Sequence, residues 1–442
     1  MHAPGTLPKT TVYFSKLDEA CEFILQRLQT CINLATPLGL GKPNQLLNLL
    51  YSVAKKNPAL KLDIFTALSL QTPSSGHGLQ ARFLGPFKDR FFGKDYPDLE
   101  YAKDSVAGRL PANVRVREFY FQAGKSVQAE GLQQDYVSAN YTHVPQVIFD
   151  QKVNVIVQLI SKSGTKISLS CNPDITLDVI DLYEKAGLPL LLIGVVHPDL
   201  PFMHGDAEVD PSLFDAIVES SEVQHRLFAL PRQAISEADY VIGLQASLLV
   251  EDGGSLQIGI GSLSDALVYC LQLRQLENSA YRNIARELLT MRGREFSDRA
   301  QVGTFEHGLY GTSEMVMDGF MHLRKAGILK REVRDLDAHV KRYLHGGFFL
   351  GTRVFYDWLR QLHLEGDTGI GMSRISKVND LYDEHEFALR RQRVKARFFN
   401  TTMSASLLGS AASETLENGQ VVSGVGGQYN FVAMAHELSD AN

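Results

Sequence analysis

Cysteine is scarce in this chain. Cys21, Cys31, Cys171 and Cys270 are the four in 442 residues, and no C-x-x-C pair occurs among them. That excludes a zinc ribbon and a thioredoxin-type site, and predicts four reduced thiols in a cytoplasmic protein. A long apolar run is also missing. The longest, Leu188 to Val196, is interrupted by Pro189 and Gly194 and falls short of the roughly 20 residues that a membrane span needs. The opening Met1-His2-Ala3-Pro4-Gly5 has neither a basic nor an apolar leader region, so no secretory signal is expected. There is no basic tail, and the formal net charge is −6, which argues against a general nucleic-acid binder. No G-x-S-x-G elbow supports a serine hydrolase. Short repeats and low-complexity segments are likewise absent. What is present is a globular composition, 44% hydrophobic and 21% charged, with material for two cores.

The pattern along the chain is that of an α/β protein. Leu17, Ala20, Cys21, Ile24, Leu25 and Leu28 recur at helical spacing, with Ser15 and Asp18 as a capping-box-like start. A short strand, Cys31 to Ala35, runs into Pro37-Leu38-Gly39-Leu40-Gly41-Lys42-Pro43, then a helix from Gln45 to Lys55 and a strand from Leu60 to Leu70. Residues 72 to 130 lack a clear period and read as a solvated excursion with some packed rings, or as a binding insertion. Strands are predicted at Val153 to Ile160, Lys166 to Leu169 and Leu188 to Val196, and helices near Leu177 to Ala186 and Val209 to Val218. Composition shifts across His225 to Ala238, which places the main boundary there and gives domains of 1–230 and 235–442. The rhythm then restarts with helix Ser236 to Leu249, strand Ser255 to Ile260 and helix Leu263 to Leu276. Two such halves suggest a pseudo-duplicated architecture.

Three Gly-rich turns stand out. Gly39-Leu40-Gly41-Lys42-Pro43 is not a P-loop, because Thr36 stands where its first Gly belongs and Pro43 offers no hydroxyl to magnesium. It remains a strand-to-helix turn whose amides can approach an anion or serve the turn alone. Gly259-Ile260-Gly261 is similar. Ser264 replaces the third Gly of a dinucleotide fingerprint, which disfavours a NAD site. Ser423-Gly424-Val425-Gly426-Gly427 reads either as a flexible loop or as consecutive amides forming an anion nest or oxyanion hole. Glu314 follows Gly311-Thr312-Ser313 and precedes an apolar-periodic run, Met315 to Leu323. It is either a reactive carboxylate or an ordinary first-turn residue favoured by the helix dipole. His197, His204 and Asp206 match no metal-site spacing, so no metal is expected. Arg390, Arg391, Arg393, Lys395 and Arg397 read as a solvated basic helix face by default, or as a contact for phosphate.

The order of these pieces carries more than any one of them. Gly39-x-Gly41-x-Pro43, then Val250-x-Asp252-Gly253-x-x-Leu256-Gln257-x-Gly259-Ile260-Gly261, then Gly311-x-Ser313-Glu314-Met315 and Gly424-x-Gly426-Gly427-Gln428-x-x-Phe431 resembles the acetyl-CoA hydrolase and CoA-transferase family, which includes 4-hydroxybutyrate and succinyl-CoA:acetate CoA-transferases. The resemblance implies two similar open α/β/α domains with a coenzyme A site between them. It implies Glu314 as nucleophile, Gly426 and Gly427 as backbone donors and Asn400 as a further catalytic residue. The turns Gly39, Gly41, Gly259, Ile260, Gly261 and Gly424 would then bind CoA. Asn430 stands where the family has an Asp. Family members also continue beyond this last loop, so the second domain is expected to be truncated.

In the implied mechanism Glu314 attacks an acyl-CoA to give an acyl-glutamyl anhydride and CoA thiolate, and the thiolate then forms a glutamyl-CoA thioester. A small carboxylic acid such as acetate reverses the sequence, whereas water makes the reaction a hydrolysis. Coenzyme A is substrate, no permanently bound cofactor is required, and a homodimer is the expectation from symmetry. Two other readings stay open. One is a sugar-phosphate isomerase with Glu314 as base, and the other a catalytically idle CoA-binding regulator.

Overall fold

In the computed structural model the described residues are 10–73, 77–336, 340–382 and 385–441. The segment Met1 to Gly5, read above for a leader, and Asn442 lie outside them. The fold is α/β, with parallel sheets in two compact units. One unit comprises Met1–Ala229 with Met403–Gly426, the other Leu230–Thr402 with Gly427–Asn442. No helix among the described residues is long and apolar enough to cross a membrane.

The first unit is built on a parallel sheet. Its strands run in the spatial order Val12–Phe14, Ala216–Val218, Leu191–Val196, Val155–Ser163, Cys31–Ala35, Lys61–Thr66, Val114–Glu118. Central strands such as Leu191–Val196 are buried at every residue, as a parallel sheet covered on both faces requires. The amphipathic helix Asn44–Lys56 buries Leu46, Leu47, Leu50, Tyr51 and Ala54, with Pro43 as its N-cap residue. The helix Leu17–Leu28 begins differently from the expected box. Glu19, not Asp18, accepts from the backbone N–H of Ser15 and Lys16, each at 3.1 Å.

Two further expectations are corrected. Residues 72–130 hold the helices Leu79–Phe91 and Glu100–Val106 and the sheet-edge strand Val114–Glu118. That strand was hidden because Arg115 and Arg117 alternate with its buried valines, as an edge strand tolerates. The stretch Val209 to Val218 is not a helix. Pro211 starts a 3-10 turn, Pro211–Leu213, and the apolar Ala216–Val218 is a buried strand paired with both Leu191–Val196 and Val12–Phe14. Three apolar residues suffice for a buried strand but not for a helix period.

The second unit repeats the scheme with parallel strands in the order Arg397–Phe399, Ser255–Ile258, Tyr310–Val316, Leu344–Phe349, Ile370–Met372. Glu237–Ser247 is capped by Ser236, whose hydroxyl accepts from the Asp239 N–H. Helix Ser262–Leu276 follows the Gly259–Gly261 turn.

In the first unit His197 and His225 pack edge to face, centroids 4.7 Å apart, and both are buried. Burial pushes His197 from its ordinary 6.5 to about 4. Burial and the neighbouring His197 together push His225 to about 3, against a smaller upward pull from Asp199. Both rings stay neutral in the fold where the unfolded chain already binds protons. Their contribution is therefore complete above pH 6.5 and is lost as pH falls toward 4. We expect the urea midpoint to drop between about pH 7 and 4.5, with each ring accounting for on the order of 2 kcal/mol. His197→Gln should show a smaller drop, and equal pH sensitivity in both proteins would contradict this account.

Candidate functional site

Glu314 lies inside a strand. The sequence Tyr310-Gly311-Thr312-Ser313-Glu314-Met315-Val316 pairs in parallel with Leu344–Phe349, and the next helix begins only at Asp318. The first-turn reading of Glu314 is thereby corrected. The segment is sheet because Gly311 lets the neighbouring strand close in: a Cβ there would overlap the Leu344 side chain. Glu314 sits near the carboxyl end of its strand and is half-buried, in the region where open parallel sheets carry their sites.

Two groups converge on its carboxylate. Asn379 Nδ2 donates to Glu314 Oε2 at 2.6 Å. Gly427, the N-cap of helix Gln428–Glu437, lies so close that a Cβ on it would overlap both Glu314 Oε2 and Asn379 Nδ2. The positive end of a ten-residue helix thus faces a carboxylate already held by an amide donor. Asn379 ends the short helix Ile375–Val378, its N–H bonded to Ile375 O at 2.8 Å. That helix packs on the strands Tyr310–Val316 and Leu344–Phe349. Gly347 makes this possible, since a Cβ on it would stand 3.1 Å from Ile375 Cδ1 and 2.9 Å from the Glu314 carbonyl oxygen.

The Gly259–Gly261 turn leaves the adjacent strand. Ser313 Oγ donates to Ile258 O at 3.3 Å, which places the turn beside the end of Glu314's strand. Gly259 N–H bonds Phe399 O at 3.1 Å, Ile260 is 54% exposed, and Gly261 adopts φ +100°, a conformation suited to glycine alone. Asn400 follows Phe399, and its amide reaches Gln257 Oε1 at 3.5 Å. The amide shown donating to Glu314 is that of Asn379.

Gly39, Gly41, Gly424 and Gly426 fall in the first unit. Gly39 has φ +58°. Gly41 is pressed against Asn172, where a Cβ would overlap Oδ1. The neighbouring Lys42 is buried and donates to Pro37 O at 2.7 Å and to Ala67 O. Burial lowers it to about 7, while Glu118, Cys171 and Asp174 pull it upward. A Cβ on Gly424 would stand 2.7 Å from the Phe119 carbonyl oxygen, and Gly426 O accepts from Tyr141 N–H at 3.0 Å.

The basic cluster is not a solvated face throughout. Arg393 and Arg397 are buried. Arg397 bonds the carbonyls of Leu249 and Asp440 and the Glu251 carboxylate. Only Arg390 and Arg391 lie on the helix Glu386–Gln392. The helix ends at Gln392, so the basic run extends past it and does not form one helix face.

Comparison with known proteins finds relatives of the kind the motifs resemble. Residues 351–442, which contain Asn379 and Gly427, match the family model described as acetyl-CoA hydrolase/transferase C-terminal domain. The chain is 26% identical over 309 residues to the 4-hydroxybutyrate coenzyme A transferase of Clostridium kluyveri, covering 68% of this chain and 58% of that protein. It is 24% identical over 301 residues to the succinyl-CoA:cyclohexane-1-carboxylate CoA transferase of Geobacter metallireducens, covering 67% and 56%. The chain thus spans less than two thirds of the length of these curated relatives. Among solved structures, RipA from Yersinia pestis is similar in fold, with TM-score 0.63 and 18% identity over 97% of this chain and 79% of that one. The 4-hydroxybutyrate CoA-transferase of Porphyromonas gingivalis gives TM-score 0.57 at 16% identity, over 97% and 79%. The resemblance to the acetyl-CoA hydrolase and CoA-transferase family is borne out.

Gly427 adopts φ −99°, so alanine there meets a steric conflict and no backbone strain. We expect Gly427→Ala to turn the Glu314 carboxylate away from Asn379 in a crystal structure. Its overpacking should cost about 1–3 kcal/mol in denaturant unfolding. An undisturbed 2.6 Å contact in the variant would contradict the packing described.

Proposed function

We propose that this chain, similar to CoA-transferases, moves CoA between a short-chain acyl-CoA and a carboxylic acid such as acetate, with Glu314 as nucleophile. The observation that carries the reading is the Glu314 carboxylate held by Asn379 at 2.6 Å against the start of helix Gln428–Glu437. A carboxylate is a poor nucleophile in water, and one fixed in orientation and partly desolvated is better suited to attack a thioester.

In the proposed sequence a Glu314 oxygen attacks the acyl carbonyl and the C–S bond breaks, giving a mixed anhydride and CoA thiolate. The thiolate attacks the glutamyl carbonyl, releasing the first acid as its carboxylate and leaving a glutamyl-CoA thioester. An acceptor carboxylate repeats the two steps in reverse, so a new acyl-CoA leaves and Glu314 is free again. Backbone amides of Gly426 and Gly427 are the proposed donors to the developing oxyanion. The Gly259–Gly261, Gly39–Gly41 and Gly424 turns are the proposed contacts for CoA, with the Gly259 N–H itself taken up by Phe399 O. Asn400 is retained as a weaker candidate, because Asn379 already occupies the amide position on Glu314. Water in place of the acceptor acid would make the chain an acyl-CoA hydrolase. The transferase names of the curated relatives favour transfer.

Four free thiols support a cytoplasmic location, and a homodimer is proposed on symmetry grounds alone. The proposed division of labour is 1–230 for the N-terminal acetyl-CoA hydrolase/transferase-like domain and 235–442 for the domain that carries the nucleophile.

Kinetics of two variants test the reading. Glu314→Gln keeps the size and removes the nucleophile, so transfer from acyl-CoA to acetate should vanish while the protein stays folded. Glu314→Asp keeps the charge but withdraws it by more than ~1 Å, and should lose about a hundredfold in rate. Full transfer or full hydrolysis by Glu314→Gln would end the assignment.

A further inference from the structure

We infer that Arg393 is a positioning residue for Glu314, bracing from behind the two elements that frame the carboxylate. The inference rests on the reading of Glu314 as nucleophile and names the group that keeps it aligned. Arg393 is 2% exposed. Its NH1 donates to Asp380 O at 2.8 Å and its NH2 to Lys377 O. These carbonyls lie two residues before and one residue after Asn379, so the guanidinium closes the turn that presents the Asn379 amide. The same NH1 lies 2.9 Å from Met434 Sδ, on the helix Gln428–Glu437 whose N-cap is Gly427. One planar cation therefore touches both the turn that donates to Glu314 and the helix that confines it.

The chemistry of the group suits this role. A guanidinium presents several donors in a fixed fork and holds two carbonyls at a set separation, which an ammonium on a flexible stem does not. The helix Ile375–Val378 spans four residues and cannot persist on its own, so the turn depends on its packing against the sheet and on the carbonyl contacts that Arg393 adds. Met434, which Arg393 touches, belongs to the apolar cluster of Leu381, Leu389, Ala396, Phe431, Met434 and Leu438, and the burial of Arg393 limits the access of bulk water to its bonds. A small displacement of the Asn379 turn shifts the donor that meets the Glu314 carboxylate at 2.6 Å.

The test compares two buried arginines of the same unit in the whole chain. Arg274 is 1% exposed and bonds the carbonyls of Gly303, Ser247 and Val250, none of which touches Glu314, Asn379 or Gly427. We expect Arg393→Lys to lower kcat for CoA transfer tenfold or more while KM for the acyl-CoA stays within about twofold. Arg274→Lys should leave kcat within about twofold of the parent even where its thermal stability falls as far. Should Arg393→Lys fail to fold, Arg393→Ala assayed with millimolar guanidinium chloride takes its place, and guanidinium but not ammonium should restore kcat. Parallel losses in both arginine variants, or no rescue by guanidinium, would overturn the inference. Failure of the underlying reading is distinguishable, because it would appear as unchanged transfer in Glu314→Gln with Arg393 intact.

Discussion

One hydrogen bond, 2.6 Å from the Asn379 amide to the Glu314 carboxylate, sets what the second unit can do. A glutamate has three side-chain torsions, and on a strand end it would otherwise sweep a wide arc. The bond removes that freedom, and the missing Cβ of Gly427 lets a helix start where the carboxylate comes to rest. Nothing in this arrangement is local in the chain, since 65 residues separate Glu314 from Asn379. It is assembled by the parallel sheet, which delivers Glu314, and by a four-residue helix lying over Gly347, which delivers Asn379.

Order in the chain explains which parts could be read beforehand. Strands such as Cys31–Ala35 and Leu191–Val196 declare themselves through short apolar runs, and the turns at Gly39 and Gly261 through glycines that adopt positive φ. Their signals lie within a few neighbours. Strand Val114–Glu118 was masked by its arginines, and Ala216–Val218 was too short to display a period. The first-turn reading of Glu314 follows from Met315 to Leu323, which repeats like a helix, although the first two of those residues belong to the strand.

Asn379 carried no such signal. Its neighbours, Val378 and Asp380, say nothing of a partner in another part of the chain. The family resemblance drew attention to Asn400 instead, whose amide reaches Gln257. Arg393 was likewise invisible as a brace, because a run of basic residues reads as surface until the fold shows which of them turn inward. Long-range polar contacts of this kind depend on register and packing, which sequence pattern constrains only after the topology is known.

The account stands or falls on the fate of CoA when no acceptor is present. Incubating the protein with an acyl-CoA alone, quenching and digesting it, then mapping adducts by mass spectrometry measures this directly. CoA should be found attached through a thioester to the peptide containing Glu314, and hydroxylamine should remove it with loss of activity. An adduct on another residue, such as the exposed Glu306, or turnover with no covalent CoA at all, would contradict the central claim.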